Sequence, residues 1–341
     1  MKKPSTAIVI LNWNGAALLR EFLPSVIAGT NPDCATVIVA DNGSTDDSRN
    51  VLADDFPEVR TLLFEENYGF AEGYNRAVAR LAKEFEYVVL LNSDVAVKSG
   101  WIEPLIQFMD AHPEVGACQP KILSYADKTK FEYAGASGGF LDRNGYPYCR
   151  GRVFSCCEED KGQYDNPIPV FWATGAALMV RSQLYITTGG LDARFFAHME
   201  EIDLCWRIHL AGFQIWVIPQ SVVYHLGGGS LPAENPRKTY LNFRNNLLLL
   251  HKNLPDSSRG RKLFKRRLMD TLAWGKFMAT FDFRNANAIL RAHRDFRKMK
   301  KAYTEHPSTD LLLNPPEGLP APPPNIVTDY YLKGKKTFSK L

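Results

Sequence analysis

Three acidic stations in this sequence carry residues that can do chemistry together. They are Asp41-Asn42-Gly43-Ser44-Thr45-Asp46, then Asn92-Ser93-Asp94, then Glu200-Glu201-Ile202-Asp203 running on to Trp206-Arg207. A carboxylate such as Asp41 can accept a hydrogen bond from the N–H of a pyrimidine base. Asp94 is a hard oxygen ligand for a divalent cation on a diphosphate, where one or two protein carboxylates suffice. At the third station the acids stand among Phe195, Phe196, Met199, Ile202 and Trp206, a partly desolvated setting that suits a general base. A nucleoside holder, a diphosphate metal site and a proton acceptor are what transfer from a nucleotide-activated donor requires.

Each station also has a plainer explanation. Asp41 to Ser44 would form an Asx-turn and helix cap anyway. Asn92-Ser93-Asp94 reads equally as a polar strand-to-loop junction. Acids at a helix start are favoured by the dipole, which accounts for one of Glu200, Glu201 and Asp203 but poorly for all three. Their spacing puts Glu200 and Asp203 on one helix face with Arg207. Glu201 points towards the side where Leu204 and Cys205 begin a buried stripe. His225, ahead of Leu226-Gly227-Gly228-Gly229, is either a capping or core histidine or a second metal ligand.

The stations are positioned by alternating apolar and amphipathic segments. Buried-strand runs are expected at 7–11, 36–40, 59–64 and 87–91, with helices following Gly15 and over about 47–54 and 72–85. A further helix is expected over 200–211 and a strand over 215–218. This predicts an α/β fold, a mostly parallel sheet with helices on both faces. Ligands in such sheets sit beyond the carboxyl ends of the strands, so the turns at Asn12, Asp41, Asn67 and Asp94 should share one edge. After Pro120 the pattern loosens.

Charge divides the 341 residues. Residues 1–236 carry a net charge of −10 and residues 237–341 a net charge of +14. This suggests a catalytic domain over 1–236 and a basic helical region over 237–341 with a Pro-rich extended segment near its end. Arg259, Arg261, Lys262, Lys265, Arg266 and Arg267, followed by Leu268, Leu272, Trp274, Phe277 and Phe281, suit helices lying on an anionic bilayer surface. They would equally suit helices packed on the acidic body. That acidic body argues against a nucleic-acid partner. The six cysteines show no CxxC pair, the chain opens without an apolar leader, and no run approaches the ~20 residues of a membrane span. A cytoplasmic protein, peripheral on the inner membrane face, is expected, and a homodimer stays open. No GxGxxG follows the first strand, which removes the usual dinucleotide-dependent oxidoreductases.

Taken in order, Val9 to Gly15, Val39 to Asp46, Asn67 to Asn75, Leu90 to Asp94, Trp172 to Ala176, Glu200 to Arg207 and His225 to Gly228 resemble the inverting glycosyltransferases of family two. They look most like its rhamnosyltransferase-like branch, which builds bacterial surface polysaccharides. The resemblance implies a GT-A type fold. It implies Asp41 against the donor's base, with Asn12, Asn14, Asn42, Asn67, Gly69, Gly73, Asn75, Asn92 and Ser93 shaping the base, ribose and diphosphate pocket. Asp94 and His225 would bind Mg²⁺ or Mn²⁺, and Glu201 would be the base, with Glu200 or Asp203 as alternatives. Trp172, Thr174, Gly175, Trp206 and Arg207 would line the acceptor side. Two residues depart from the family pattern: Asn92 replaces the first Asp of its metal motif, and Glu201 replaces the usual Asp. The implied donor is dTDP-rhamnose, with a UDP-hexose as runner-up. The implied acceptor is a hydroxyl of a glycan or polyprenyl-linked glycan. A catalytically silent glycan-binding module is the alternative.

Overall fold

A computed structural model describes residues 4–227 and 235–341; Gly228 and Gly229, quoted above with His225, lie outside them. The expected alternation forms the first half: β1 (Thr6–Asn12), α1 (Ala16–Gly29), β2 (Ala35–Asp41), α2 (Ser48–Asp54), β3 (Arg60–Leu63), α3 (Gly69–Leu81) and β4 (Tyr87–Leu91). Strands β1 to β4 are parallel where they pair, and β1 is flanked by β2 and β4 in a register that sets Asn12 opposite Asp41. Helix α3 starts ahead of its expected position because Gly69, at φ +77°, makes the turn and the Asn67 Oδ1 takes its N–H.

Next come β5 (Val95–Val97), α4 (Glu103–Ala111) and β6 (Val115–Ser124), then a small antiparallel sheet of β7 (Gly139–Leu141), β8 (Pro147–Cys149), β9 (Arg152–Val153) and β10 (Cys156–Cys157). The body closes with β11 (Ile168–Pro169), β12 (Ala177–Arg181), α5 (Ser182–Thr187), α6 (Glu200–Leu210) and β13 (Gln214–His225). The main sheet runs β11-β13-β6-β12-β4-β1-β2-β3, with β12 antiparallel to both neighbours. Strand β13 continues past the expected end at Ile218 through a register shift after that residue. The shift absorbs Pro219, which cannot donate to a regular ladder. Apolar clusters fill both faces of the sheet, around Tyr74 and Trp206 on one side and Leu23 and Trp101 on the other.

Helices α7 (Pro236–Asn253), α8 (Asp256–Ala279), α9 (Phe283–Met299) and α10 (Ile326–Tyr331) follow. Leu247 to Leu250 of α7 are wholly buried in the same cluster as Val217 and Ile202 of the body. The Pro-rich segment lies across the small sheet, where Arg143 and Asn144 donate to the carbonyls of Pro322 and Pro324. The basic residues of α8 do not form one surface. Lys262 and Arg266 are buried and face Asp310 and Asp270, because each finds a carboxylate on the protein side, whereas Arg261, Lys265 and Arg267 are exposed. Among the described residues no helix is long and apolar enough to cross a membrane.

Candidate active site

The strand ends do gather on one edge. Asn12 closes β1 and its amide donates to Asp41 Oδ2 and Ser44 Oγ, each at 3.2 Å. Asp41 is wholly buried, and its Oδ1 takes the Ser44 N–H at 3.1 Å and Arg49 Nε at 3.0 Å. Asn14, at φ +50°, receives the N–H of Thr45 on its side chain and so shapes the mouth of the same turn. Asn42 donates to Asn67 Oδ1 and to the Gly69 carbonyl, both at 3.0 Å, tying the end of β2 to the start of α3. Gly73 lets α3 approach β1: a Cβ there would lie 2.9 Å from Leu11 and 3.0 Å from Asn42 Nδ2.

The second group forms because β5 pairs antiparallel with the end of β13, setting His225 opposite Val95 and beside Asp94. His225 Nε2 stands 3.2 Å from Asp94 Oδ1, and the Asn92 amide is 3.4 Å from the same ring nitrogen. Glu132 Oε2 lies 3.2 Å from the other ring nitrogen, at ion-pair distance though outside hydrogen-bond geometry. Burial alone would lower the His225 pKa, but Asp94 and Glu132 on either side hold it up to about 10. Burial would likewise raise Asp94, yet His225 keeps it below the usual carboxylate range. Gly227 suits this turn because its φ of +66° is strained for any residue with a Cβ.

Among the described residues no three His, Cys, Asp or Glu side chains form a full metal cage. Asp94 and His225 nevertheless converge on one point, with Asn92 beside them and Glu132 behind the imidazole. Two protein donors, with diphosphate oxygens and water completing the shell, is what Mg²⁺ or Mn²⁺ on a nucleotide takes, and a carboxylate behind a ligating imidazole orients it. These residues therefore fit a divalent cation once the ring proton that Asp94 and Glu132 stabilise leaves His225 Nε2, since only the neutral imidazole ligates.

The third group meets the second across the turn Thr174–Ala176. The Asn92 N–H donates to the Ala176 carbonyl at 3.0 Å, and β12 pairs with β4 directly after it. The open side of Gly175 faces Glu201 and Phe70, with 3.7 Å and 3.8 Å from a built Cβ. Thus the start of α6 stands beside α3 at Gly175, one turn from Asn92. Burial pushes both glutamates up, with repulsion between the two adding to it at Glu200; one oxygen of each has no partner. Glu201 is partly accessible and Glu200 is buried.

Five expected site residues sit elsewhere. Asp203 is wholly buried and takes Arg207 Nε at 2.9 Å, Lys252 at 2.8 Å and Asn253 at 2.7 Å, so it locks α6 to α7 and turns away from the cleft. Arg207 is spent on Asp203 and on the carbonyls of Thr188 and Gly190. Trp206 is wholly buried, edge-on to Phe171. Asn75 holds both backbone groups of Leu191 on the far side of α3. Trp172 is a packing pillar over Gly139 that donates to the Phe140 carbonyl, and Thr174 takes the Ala176 N–H to shape the turn carrying Gly175. Glu132, Arg49 and Phe70 were missed, because no local pattern distinguishes a residue whose partner lies elsewhere in sequence. Asp203→Ala is expected to cost about 3–5 kcal/mol by stranding buried cations, read as a lowered denaturation midpoint. An unchanged midpoint would show that the lock holds nothing.

Residues 7–178 match the profile of glycosyl transferase family 2. The N-acetylglucosaminyl-diphospho-decaprenol L-rhamnosyltransferase of Mycobacterium tuberculosis is 27% identical over 232 residues, 64% of this chain and 75% of that protein. The rhamnosyltransferase WbbL of Escherichia coli is 23% identical over 163 residues, 46% of this chain and 61% of that protein. Among solved structures, S. aureus TarS with UDP-GlcNAc superposes with a TM-score of 0.55 at 15% identity, covering 86% of this chain and 80% of that one. That likeness establishes the shared fold.

Proposed function

The chain belongs to glycosyl transferase family 2, and from that premise we propose an inverting transfer of a sugar, rhamnose from dTDP-rhamnose, to a hydroxyl of a lipid-linked glycan in cell-surface polysaccharide synthesis. The observation that supports this reading is the chain of neighbours along one sheet edge, from Asn42–Asn67 and Asp94–His225 through the Asn92 turn to Gly175 and Glu201. The rhamnosyl donor and polyprenyl-linked acceptor rest on what the bacterial relatives are named for.

In this reading Asn42 and Asn67 shape the wall of the base pocket, and the buried Asp41 sets Ser44 and Arg49 around it. Asp94 and His225 would hold the divalent cation, which when bound neutralises charge developing on the leaving diphosphate. Glu201, partly accessible and facing Gly175 where Glu200 is buried, is the carboxylate placed to act. It takes the proton of the acceptor hydroxyl while that oxygen bonds to the anomeric carbon from the face opposite the diphosphate. The anomeric carbon–oxygen bond breaks with its electron pair going to the diphosphate, and no enzyme-bound intermediate forms. Catalysis is assigned to residues 1–236, with residues 237–341 on the acceptor side.

The test is a donor panel of dTDP-rhamnose, UDP-hexoses and GDP-sugars with Mn²⁺, scored for nucleoside diphosphate release with lipid-linked acceptor. dTDP-rhamnose should turn over fastest. Preference for a UDP-hexose would replace the donor, and no turnover at all would leave a silent module of the same fold.

A peripheral membrane position is part of the proposal. Phe264, Leu268 and Leu272 are 69%, 57% and 64% exposed at four-residue intervals along α8, beside exposed Arg261, Lys265 and Arg267. An apolar stripe edged by cations suits an anionic bilayer surface. The protein should float with anionic liposomes and stay down with neutral ones; remaining at the bottom of both gradients would exclude this.

A further inference from the structure

A cleft of about 420 Å³ opens between α7 and α9, lined by Phe196, Arg237, Tyr240, Arg244, Arg284 and Arg291. It holds four guanidinium groups. Among the described residues none of them has a carboxylate at ion-pair distance: nearby Asp295 takes Arg294 and the Tyr240 hydroxyl, and Asp282 caps α9 through Asn285. Arg244 is only 7% exposed, yet its hydrogen bonds go to neutral groups, namely Asn245, the Tyr240 hydroxyl and the carbonyls of Arg194 and Phe195. A buried cation without a counter-charge is costly, and an anionic ligand in the cleft offsets that cost.

The cleft adjoins the catalytic carboxylates through one short loop. Phe196, His198 and Met199 all have positive φ, at +69°, +68° and +77°, immediately before Glu200. That backbone is held from α7, where Arg244 bonds the Phe195 carbonyl at 2.6 Å and Asn245 Nδ2 bonds the carbonyls of Phe195, Ala197 and His198. Phe196 faces the cleft with Arg237 over its ring at 5.0 Å. On α9 the exposed arginines 284 and 291 run beside Phe283 and Leu290, 56% and 55% exposed, so an apolar edge borders the cationic one.

We propose that this cleft binds the phosphate groups of an amphiphilic acceptor, a sugar carried on a prenyl diphosphate. Arg237, Arg244, Arg284 and Arg291 take the phosphates, the prenyl chain leaves over Phe283 and Leu290, and the sugar reaches across the Phe196–Met199 loop to Glu201. Paired N–H groups of arginine match phosphate oxygens, and four of them suit a diphosphate. The inference rests on the glycosyl-transfer reading and specifies its acceptor subsite.

The test titrates the full chain in EDTA with farnesyl diphosphate, farnesol, inorganic pyrophosphate and phosphatidylglycerol vesicles. It compares the unaltered protein with Arg284→Gln/Arg291→Gln, both solvent-facing and safe for folding. Farnesyl diphosphate and pyrophosphate should bind and farnesol should not, and the double variant should bind farnesyl diphosphate at least about tenfold more weakly. Equal binding by variant and parent, or no binding of farnesyl diphosphate by the parent, would overturn the assignment. So would a variant that loses vesicles alone, since the arginines would then read a phospholipid headgroup. Nucleotide-sugar turnover is measured separately: its absence would sink the transfer reading, while the farnesyl diphosphate comparison still decides the cleft.

Discussion

Glu201→Gln is expected to slow sugar transfer by about a hundredfold to ten-thousandfold while leaving nucleotide-sugar affinity within about twofold of the unaltered protein. The amide keeps the shape of the side chain opposite Gly175 and Phe70 but cannot accept the acceptor's proton. Donor affinity should survive because Glu201 stands apart from the Asp41–Asn67 edge and the Asp94–His225 pair. The pH profile gives a second readout. Burial raises Glu201, so its ionised form, and with it the rate, should be lost on acidification at a higher pH than an ordinary glutamate would show, near ~4.3. Glu200 titrates with it as a pair, so the acid limb belongs to both carboxyls. Glu200→Gln should leave an acid limb that belongs to one carboxyl instead of two while retaining turnover. If Glu201→Gln turns over near the parental rate and Glu200→Gln does not, the assignments exchange.

Asp94→Asn is expected to weaken Mn²⁺-dependent binding of the nucleoside diphosphate by at least about a hundredfold, beyond what loss of an outer-shell partner costs. Asn92 already contributes a neutral amide where the family pattern has an acid, so Asp94 is the charged oxygen of the pair. Its backbone carbonyl still receives the Leu226 N–H at 3.0 Å in the variant, so the turn should persist. Glu132→Gln should give a milder loss, about tenfold to a hundredfold, because it leaves both ligands and loosens only the orientation of His225. Calorimetry with and without Mn²⁺ separates these effects. An affinity unchanged in Asp94→Asn would take Asp94 out of the cation site.

That these turns share one edge was legible because apolar strands end at Asn12, Asp41 and just before Asp94, and parallel topology brings those ends together whatever their separation in sequence. His225 was legible only as a candidate; what brings it to Asp94 is the antiparallel pairing of β5 with an extended β13, which the break at Pro219 conceals. Asp203 shows the converse. Helical spacing correctly joined it to Arg207, but spacing could not show that Lys252 and Asn253, some fifty residues on, would consume its remaining oxygens. Trp206 and Asn75 fail for the same reason, since their partners come from other elements. The basic helix could face a bilayer or pack on the body, and it does not do one alone: Lys262 and Arg266 turn inward because Asp310 and Asp270 meet them there. The arginines of the α7–α9 cleft carry no spacing signal across two helices.

The most direct measurement is a crystal structure of Glu201→Gln soaked with a nucleoside diphosphate sugar and Mn²⁺. The account expects the base over the Asp41–Asn67 edge, the cation between Asp94, His225 and the diphosphate, and the anomeric carbon facing residue 201. A nucleotide bound anywhere else, or a cation that touches neither Asp94 nor His225, would contradict it.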